Sequence, residues 1–172
     1  MERVLVIGSP GAGKSTLARQ IADRIGLPLI HLDAERWQSG WIERDRDEWQ
    51  ERLDGMVARP RWVIDGNYGG SLPQRLARAD TVIDLNYPTW LCLWRVLRRV
   101  VSLRGRVRPD MAAGCPERFD LEFLAYVALF RRDVRPANAA RIAGFTGRVL
   151  RFSNPAATES WLSGLANRAA DR

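Results

Sequence analysis

A segment near the start of the chain has the composition of a phosphate-binding loop. Its nine residues are Gly8, Ser9, Pro10, Gly11, Ala12, Gly13, Lys14, Ser15 and Thr16, which fit the pattern GxxxxGK[ST]. Glycines let successive backbone N–H groups curl around phosphate oxygens, while the lysine reaches the β- and γ-phosphates and the next hydroxyl ligates Mg²⁺. The segment therefore predicts binding of a nucleoside triphosphate through all nine residues, with Ser15 as a metal ligand.

Lys14 is the only lysine among 27 basic residues, and the others are all arginine. An arginine-rich composition replaces lysine wherever a guanidinium is good enough, so the remaining lysine marks a position that requires a compact ammonium. We expect Lys14 to be catalytic, in contact with the transferred phosphoryl group.

Two aspartates are predicted at the carboxyl ends of strands. Asp33 follows the apolar residues 29–32, and Asp65 follows residues 62–64. Carboxylates at that edge of a parallel sheet can reach metal-bound water or an acceptor hydroxyl, which makes both candidate catalytic residues. The alternative is that each aspartate only caps a turn. His31, two residues before Asp33, is interpreted as a packed, hydrogen-bonded histidine outside the site.

Positive charge is concentrated in residues 95–151, which carry 13 arginines and 5 acidic side chains. The segment from residue 104 to residue 116 contains Arg104, Arg106 and Arg108 together with two glycines and two prolines. A loop of this length in a compact domain is usually functional or disordered. We predict a lid at about residues 103–118, with Arg104 and Arg108 as catalytic arginines. A solvated basic surface is the alternative for any single arginine.

The elements that position these residues follow from the pattern of apolar residues. Strands are predicted at 4–7, 29–32, 62–64, 80–85 and 149–152, with helices between them. A capping box is expected at Ser71, and Asn154 is expected to cap the last helix. Strands that alternate with helices imply parallel pairing. The prediction is one α/β domain over residues 1–172, a three-layer sandwich. An acceptor-binding insertion is expected at about 34–60, where Trp37, Trp41 and Trp49 lie.

Composition excludes several other classes of protein. At 172 residues and 46% hydrophobic content, the chain suits one globular domain. Cys92, Cys115 and the single histidine form no zinc-like cluster, and both thiols are expected to be free. There is no signal-peptide pattern at the N-terminus and no apolar run of about 18 residues, so we expect a cytoplasmic protein without membrane contact.

The order of these features resembles the adenylate kinase and shikimate kinase group of P-loop phosphotransferases. The resemblance is carried by the phosphate loop, Asp33, residues 63–66, residues 80–85 with Pro88, and the arginine-rich lid. More narrowly, residues 30–33, 64–68, 90–95 and 108–111 are similar to bacterial FlaR-like proteins, labelled DNA topology modulation.

The resemblance implies a five-stranded parallel sheet in the order 2-3-1-4-5, ATP with Mg²⁺, and an adenine-side loop at 153–157. It implies that Asp65 helps hold the hydration shell of the metal and that Asp33 lies close to the acceptor. The sequence departs from the group after Gly66, where Asn67-Tyr68-Gly69 replaces Phe-Pro-Arg. The arginine that grips a nucleoside monophosphate is missing there, although Arg75 follows a few residues later.

The sequence as a whole predicts an ATP-dependent phosphotransferase that moves the γ-phosphoryl group to a small-molecule acceptor. The alternative is a nucleotide-switched regulator that binds nucleic acid or protein, which the basic segment favours. The chain lacks any recognised nucleic-acid-binding motif, so the small-molecule acceptor is the preferred partner. A monomer and a homodimer are both compatible with the sequence.

Overall fold

The computed structural model describes residues 1–170, and within them five of seven strands form one parallel sheet. The strands are β1 (Arg3–Gly8), β2 (Leu29–His31), β3 (Trp37–Gln38), β4 (Ile42–Glu43), β5 (Trp62–Asp65), β6 (Thr81–Leu85) and β7 (Arg148–Phe152). The sheet order is β2-β5-β1-β6-β7, and every neighbouring pair is parallel. Counting only the strands of this sheet, the predicted order 2-3-1-4-5 is confirmed.

Eight helices and one short 3₁₀ turn (Gly69–Ser71) connect these strands in the described part of the chain. The helices are α1 (Lys14–Ile25), α2 (Leu32–Arg36), α3 (Arg46–Ala58), α4 (Leu72–Arg78), α5 (Thr89–Leu103), α6 (Leu121–Asp133), α7 (Arg135–Ala143) and α8 (Pro155–Ala170).

The central strand β1 shows why the sheet has helices on both faces. Val4 and Val6 belong to one buried cluster, with side chains from α1, α5, α6 and α8. Leu5 and Ile7 belong to a second cluster, with side chains from α3, α4 and α7. Successive side chains of a strand point to opposite faces, so an uninterrupted apolar run requires cover on both sides. The predicted three-layer α/β/α sandwich is confirmed.

Local helix signals were partly correct. Asn154 Oδ1 accepts a hydrogen bond from Ala157 N at 2.9 Å, which is the predicted cap of α8. The capping box predicted at Ser71 was wrong, because the side chain of Ser71 makes no cap bond. The Ser71 hydroxyl instead donates to Tyr68 O at 3.0 Å and accepts from Arg75 Nε at 3.2 Å. A nearby buried guanidinium thus competes successfully for the hydroxyl.

Two elements near the predicted acceptor insertion were not foreseen. β2 ends at His31 rather than at residue 32, and the short helix α2 follows at once. β3 and β4 then form an antiparallel hairpin, in which Trp37 pairs with Glu43. In the segment 34–60, therefore, most of α2, this hairpin and α3 follow one another. Of the helices in residues 1–170, none combines the length and apolar composition that crossing a bilayer requires.

Candidate active site

The loop between β1 and α1 presents backbone N–H groups at a helix start. The first helical bond runs from Leu17 N to Gly13 O at 2.9 Å, so the N–H groups of Lys14, Ser15 and Thr16 precede it. No side chain caps them, because the N-cap residue is Gly13. Uncapped N–H groups at the positive end of a helix bind anions such as phosphate.

Close packing against α5 fixes the shape of this loop. Gly11 has φ 81°, and a Cβ there would overlap the carbonyl oxygen of Cys92 in α5. Arg95, also in α5, donates through Nη1 to Ala12 O at 3.2 Å. The Lys14 ammonium donates to Ser9 O at 3.1 Å, within the loop. The loop is therefore formed in the structure, with its lysine folded across it.

Electrostatics link Lys14 to both candidate aspartates. Burial lowers the pKa of Lys14 below its ordinary value, and the nearby carboxylates of Asp65 and Asp33 oppose that shift. An opposite charge stabilises the ammonium only over short distances. The structure thus brings Lys14, Asp33 and Asp65 together, as the sequence predicted for strand ends next to a phosphate loop.

Asp65 lies at the end of β5 and is only 4% exposed. Its Oδ2 accepts a hydrogen bond from the Ser15 hydroxyl at 2.7 Å, and its Oδ1 is bonded to His31 Nδ1. Both carboxylate oxygens therefore have partners, and His31 holds the side chain of Asp65 in place. A hydroxyl beside a carboxylate is an oxygen donor set that suits Mg²⁺.

Asp33 does not end a strand, contrary to expectation. It lies in the first turn of α2, yet Oδ1 still accepts a hydrogen bond from the Tyr68 hydroxyl at 2.8 Å. Burial raises the pKa of Asp33 above its ordinary value, while the Tyr68 hydroxyl and the charges of Lys14 and Arg108 oppose that shift. Asp33 is half-buried and lines the cleft that the phosphate loop also lines.

The loop after Asp65 is held from beneath by Arg75. This guanidinium is fully buried and donates to the carbonyl oxygens of Gly66, Asn67 and Tyr68. Burial lowers its pKa to about 10. All of these acceptors are neutral backbone oxygens of its own chain. Arg75 is therefore not in a position to replace the arginine that grips a nucleoside monophosphate.

Asn67 connects this loop to the phosphate loop. Its Oδ1 accepts from Gly8 N at 3.1 Å, and its Nδ2 donates to Gly8 O at 2.9 Å. The next residue, Tyr68, has φ 32° and bonds to Asp33. Loop 66–68 therefore fixes the relative positions of the phosphate loop and of Asp33.

The lid brings one of its two predicted catalytic arginines to the cleft. Arg108 donates to Asp110 Oδ2 at 3.0 Å and lies 2.8 Å from Glu117 Oε2, through Nε. Arg99 of α5 bonds the other oxygen of Glu117 at 3.1 Å. Buried Glu117 thus holds two cleft arginines side by side. Arg104 is exposed and lies outside the cleft lining, because its backbone bridges to Glu117 at the lid base.

These groups line one cleft of about 1090 Å³. Its lining includes Tyr87, Arg95, Pro155 and Thr158, and it also includes Asp33, Trp37, Trp41, Tyr68 and Tyr126. Sites for one small molecule occupy roughly 300–1,000 Å³, so this cleft lies at the upper end of that range.

The β3–β4 hairpin and the lid contact each other beside the cleft. Gly40 N donates to Gly114 O at 2.9 Å, and the Cys115 thiol donates to Gln38 O at 3.0 Å. At Gly114 a Cβ would overlap the Ser39 side chain, so only glycine permits this approach. The hairpin and the segment predicted as a lid are therefore joined, and both contribute residues to the cleft lining.

Gly114→Ala should separate the hairpin from the lid. Gly105→Ala is the matched control, since both glycines have similar positive φ (78° and 74°) but a Cβ at Gly105 would meet nothing within 4 Å. Both variants incur a backbone cost of roughly 1–2 kcal/mol, but only Gly114→Ala adds a clash. We expect hydrogen–deuterium exchange at the Gly40 amide to be at least tenfold faster in Gly114→Ala. Equal exchange in both variants would contradict the contact.

Several residues of the site were missed by sequence reasoning. Asn67 and Tyr68 attract attention only as departures from the Phe-Pro-Arg signature, and their partners Gly8 and Asp33 lie 59 and 35 residues away. Glu117 has no local signal, because its role depends on the approach of Arg99 and Arg108. Residues brought together by the fold carry no motif of their own.

Comparison with known proteins agrees with this geometry. Residues 4–64 match the model of the family described as "ATPase family associated with various cellular activities (AAA)". An adenylate kinase from Clavibacter michiganensis subsp. michiganensis is 30% identical over 110 residues, 62% of this chain. That match spans 53% of the relative, about half of its length.

Solved structures share the fold. Shikimate kinase from Acinetobacter baumannii in complex with shikimate aligns with a TM-score of 0.59 and 19% identity, covering 99% of this chain and 94% of that one. A gluconokinase from Sinorhizobium meliloti aligns with a TM-score of 0.51, the same identity and the same coverage. The chain is therefore similar to an adenylate kinase over part of its length, and it shares its fold with shikimate kinase and gluconokinase.

Proposed function

We propose that this protein is an ATP-dependent phosphotransferase that transfers the γ-phosphoryl group of ATP to a hydroxyl of a small-molecule acceptor. The observation that carries the proposal is the convergence of Lys14 and two aspartates with different partners in one cleft. Asp65 is bonded to the Ser15 hydroxyl, beside the phosphate loop, whereas Asp33 is bonded to the Tyr68 hydroxyl. A nucleotide hydrolase would need no second carboxylate for an acceptor hydroxyl.

The phosphate loop binds and orients the triphosphate. N–H groups at the start of α1 donate hydrogen bonds to phosphate oxygens, and Lys14 contacts the transferred phosphoryl group. Ser15 and Asp65 are the residues that would hold Mg²⁺, directly and through its hydration shell respectively. When bound, Mg²⁺ supplies neutralisation of the charge on the β- and γ-phosphate oxygens.

Asp33 accepts the proton of the acceptor. The hydroxyl oxygen of the acceptor forms the new P–O bond, the bond between the γ-phosphorus and the β–γ bridging oxygen breaks, and ADP leaves with that electron pair. Tyr68 donates a hydrogen bond to one oxygen of Asp33, which leaves the other oxygen for the acceptor. This fixed orientation provides the near-attack geometry that general base catalysis requires.

The lid contributes positive charge and excludes water. The charges of Arg99 and Arg108 act on Lys14 and Asp33 respectively, which puts both guanidinium groups close to the reaction centre. Guanidinium groups stabilise charge on a transferring phosphoryl group. Closure of the lid also limits transfer of the phosphoryl group to water.

The function is tested by ADP release in the presence of small hydroxyl compounds or duplex DNA. We expect a small molecule to raise ADP release at least tenfold, with phosphate appearing on that compound. Stimulation by DNA alone would favour the nucleotide-switched regulator instead. The narrower similarity to proteins labelled DNA topology modulation, in residues 30–33, 64–68, 90–95 and 108–111, keeps that second candidate worth testing.

Substitution of lid arginines separates the same two candidates. Arg108→Ala should lower turnover at least tenfold, or about 1.4 kcal/mol, because Arg108 lines the cleft. Arg106→Ala is the matched control, since Arg106 is exposed and lies outside the cleft lining. The regulator would instead show a smaller salt slope of DNA binding in Arg106→Ala and unchanged ATP turnover in Arg108→Ala. Steady-state kinetics and DNA titrations at several salt concentrations measure both.

A further inference from the structure

The wall of the cleft around Asp33 is aromatic. Four side chains from different parts of the chain line it, and we call them the aromatic wall: Trp37, Trp41, Tyr68 and Tyr126. Tyr68 bonds directly to Asp33, and the charge of Asp33 also acts on Tyr126. The ring centroids of Trp37 and Trp41 are 5.5 Å apart, with the rings packed edge to face. The wall therefore surrounds the group that receives the acceptor proton.

Three of these four rings are not explained by the packing of the core, whereas Tyr68 packs against the cluster that contains Leu5 and Ile7. Among the described residues, Trp37, Trp41 and Tyr126 belong to neither buried cluster on the two faces of the sheet. Tyr126 is 39% exposed, although its neighbour Val127 in α6 is buried. Large apolar rings that remain open to a cleft are a usual feature of small-molecule sites.

Trp41 has a strained backbone and is held in place by two contacts. Its φ of 64° lies in the left-handed region, which is unfavourable for a bulky residue. The indole Nε1 donates to Pro116 O at 3.2 Å, and the Arg118 guanidinium lies 5.1 Å from the ring centroid. A strained residue that its surroundings hold in one conformation is characteristic of a functional site. A ring fixed in advance loses little entropy when a ligand stacks on it.

The physical consequence concerns the shape of the acceptor. The faces of a flat or closed ring can lie against tryptophan and tyrosine with apolar contact, while hydroxyls at the ring edge remain free for Asp33. An open-chain polyol exposes polar groups along its whole length and loses several rotations when bound. It would leave the aromatic wall without apolar contact and polar groups without partners.

We infer that the acceptor is a cyclic hydroxy compound, a nucleoside or a cyclitol-like ring, bound with its ring against Trp41 and Trp37 and a hydroxyl at Asp33. This inference rests on the proposed phosphotransferase function and specifies the substrate class of the same site. The group-transfer step is the one written above, with the ring hydroxyl as the acceptor oxygen.

The first experiment measures ADP release with pairs of compounds that differ in having a ring. Suitable pairs are myo-inositol with sorbitol, shikimate with gluconate, and adenosine or uridine with ribitol. We expect at least one cyclic member to raise ADP release tenfold or more and its open-chain partner to raise it less than twofold. Calorimetric titration of the same cyclic compounds gives a second readout that is independent of turnover.

Two tryptophan variants then test the wall itself. Trp41→Leu should raise the KM for the active cyclic compound at least tenfold, while the KM for ATP stays within twofold. Trp90→Leu is the matched control, because Trp90 is 70% exposed at the start of α5 and lies outside the cleft lining. It should change neither KM. Circular dichroism verifies that both variants are folded.

The possible outcomes distinguish failure of the cyclic-acceptor inference from failure of the proposed phosphotransferase function. A preference for open-chain compounds, or an acceptor KM unchanged in Trp41→Leu, would overturn the cyclic acceptor and leave the phosphotransferase intact. The cyclic-acceptor inference would also be overturned if no cyclic compound raised ADP release and none bound in calorimetry. ATP turnover that does not depend on Lys14 would instead remove the proposed function.

Discussion

Lys14→Ala is expected to reduce ADP release by two orders of magnitude or more. That loss corresponds to at least about 3 kcal/mol of transition-state stabilisation. The reason is positional, since Lys14 lies at the start of α1 with its ammonium over the phosphate loop and near both Asp33 and Asp65. No other lysine exists in the chain to replace it.

The measurement is steady-state turnover with the most active acceptor found. Circular dichroism and thermal melting serve as controls for folding, because Lys14 also donates to Ser9 O. Lys14→Arg is an informative companion, since a planar guanidinium is bulkier than an ammonium and should restore little activity. Turnover within a few-fold of the unmodified protein in Lys14→Ala, with the fold intact, would remove the phosphotransferase interpretation.

Substitutions of Asp65 and Asp33 should impair different parts of the reaction. Asp65→Asn should weaken both the Mg²⁺ dependence and background ATP hydrolysis, since Asp65 is the partner of the Ser15 hydroxyl. Asp33→Asn should leave nucleotide binding and background hydrolysis near normal and abolish stimulation by the acceptor, because in the proposed mechanism Asp33 acts on the acceptor hydroxyl and not on the metal. We expect at least a hundredfold loss of acceptor-dependent turnover in each variant.

Calorimetry of ATP binding at several Mg²⁺ concentrations, together with ADP release with and without acceptor, measures this split. Burial raises the pKa of Asp33, so the base becomes protonated at a higher pH than an ordinary aspartate near 3.9. Acceptor-dependent turnover should therefore fall on acidification before background hydrolysis does. Identical phenotypes would contradict the division of roles, and lost thermal stability with normal kinetics would indicate turn-capping roles instead.

Local sequence patterns were sufficient for the phosphate loop and the five sheet strands. The apolar run of β1, the glycines after it and the periodicity of α1 act over a few neighbouring residues, so they can be read without the fold. Asp65 was identified correctly as the end of a strand, because β5 is a short buried run that stops at a polar residue. The strand order came from the resemblance to P-loop kinases rather than from the pattern itself.

Tertiary structure decided which side chains meet in the cleft. Asp33 was expected at the end of a strand but lies on α2. Arg75, which comes a few residues after the position of the missing signature arginine, is buried and supports loop 66–68. The Ser71 hydroxyl was expected to cap a helix, but it accepts a hydrogen bond from the Arg75 guanidinium instead. Arg104 and Arg108 have the same local composition, yet only Arg108 reaches the cleft.

The physical reason is the sequence separation between the residues that interact in each case. Helix periodicity, turns and short buried strands depend on interactions among about a dozen consecutive residues, so the local sequence is sufficient to predict them. Asn67 with Gly8, Tyr68 with Asp33, and Glu117 with Arg99 are pairs separated by 59, 35 and 18 residues. Their energies arise only after the sheet and helices have packed, because a hydrogen bond needs its two atoms within about 3 Å.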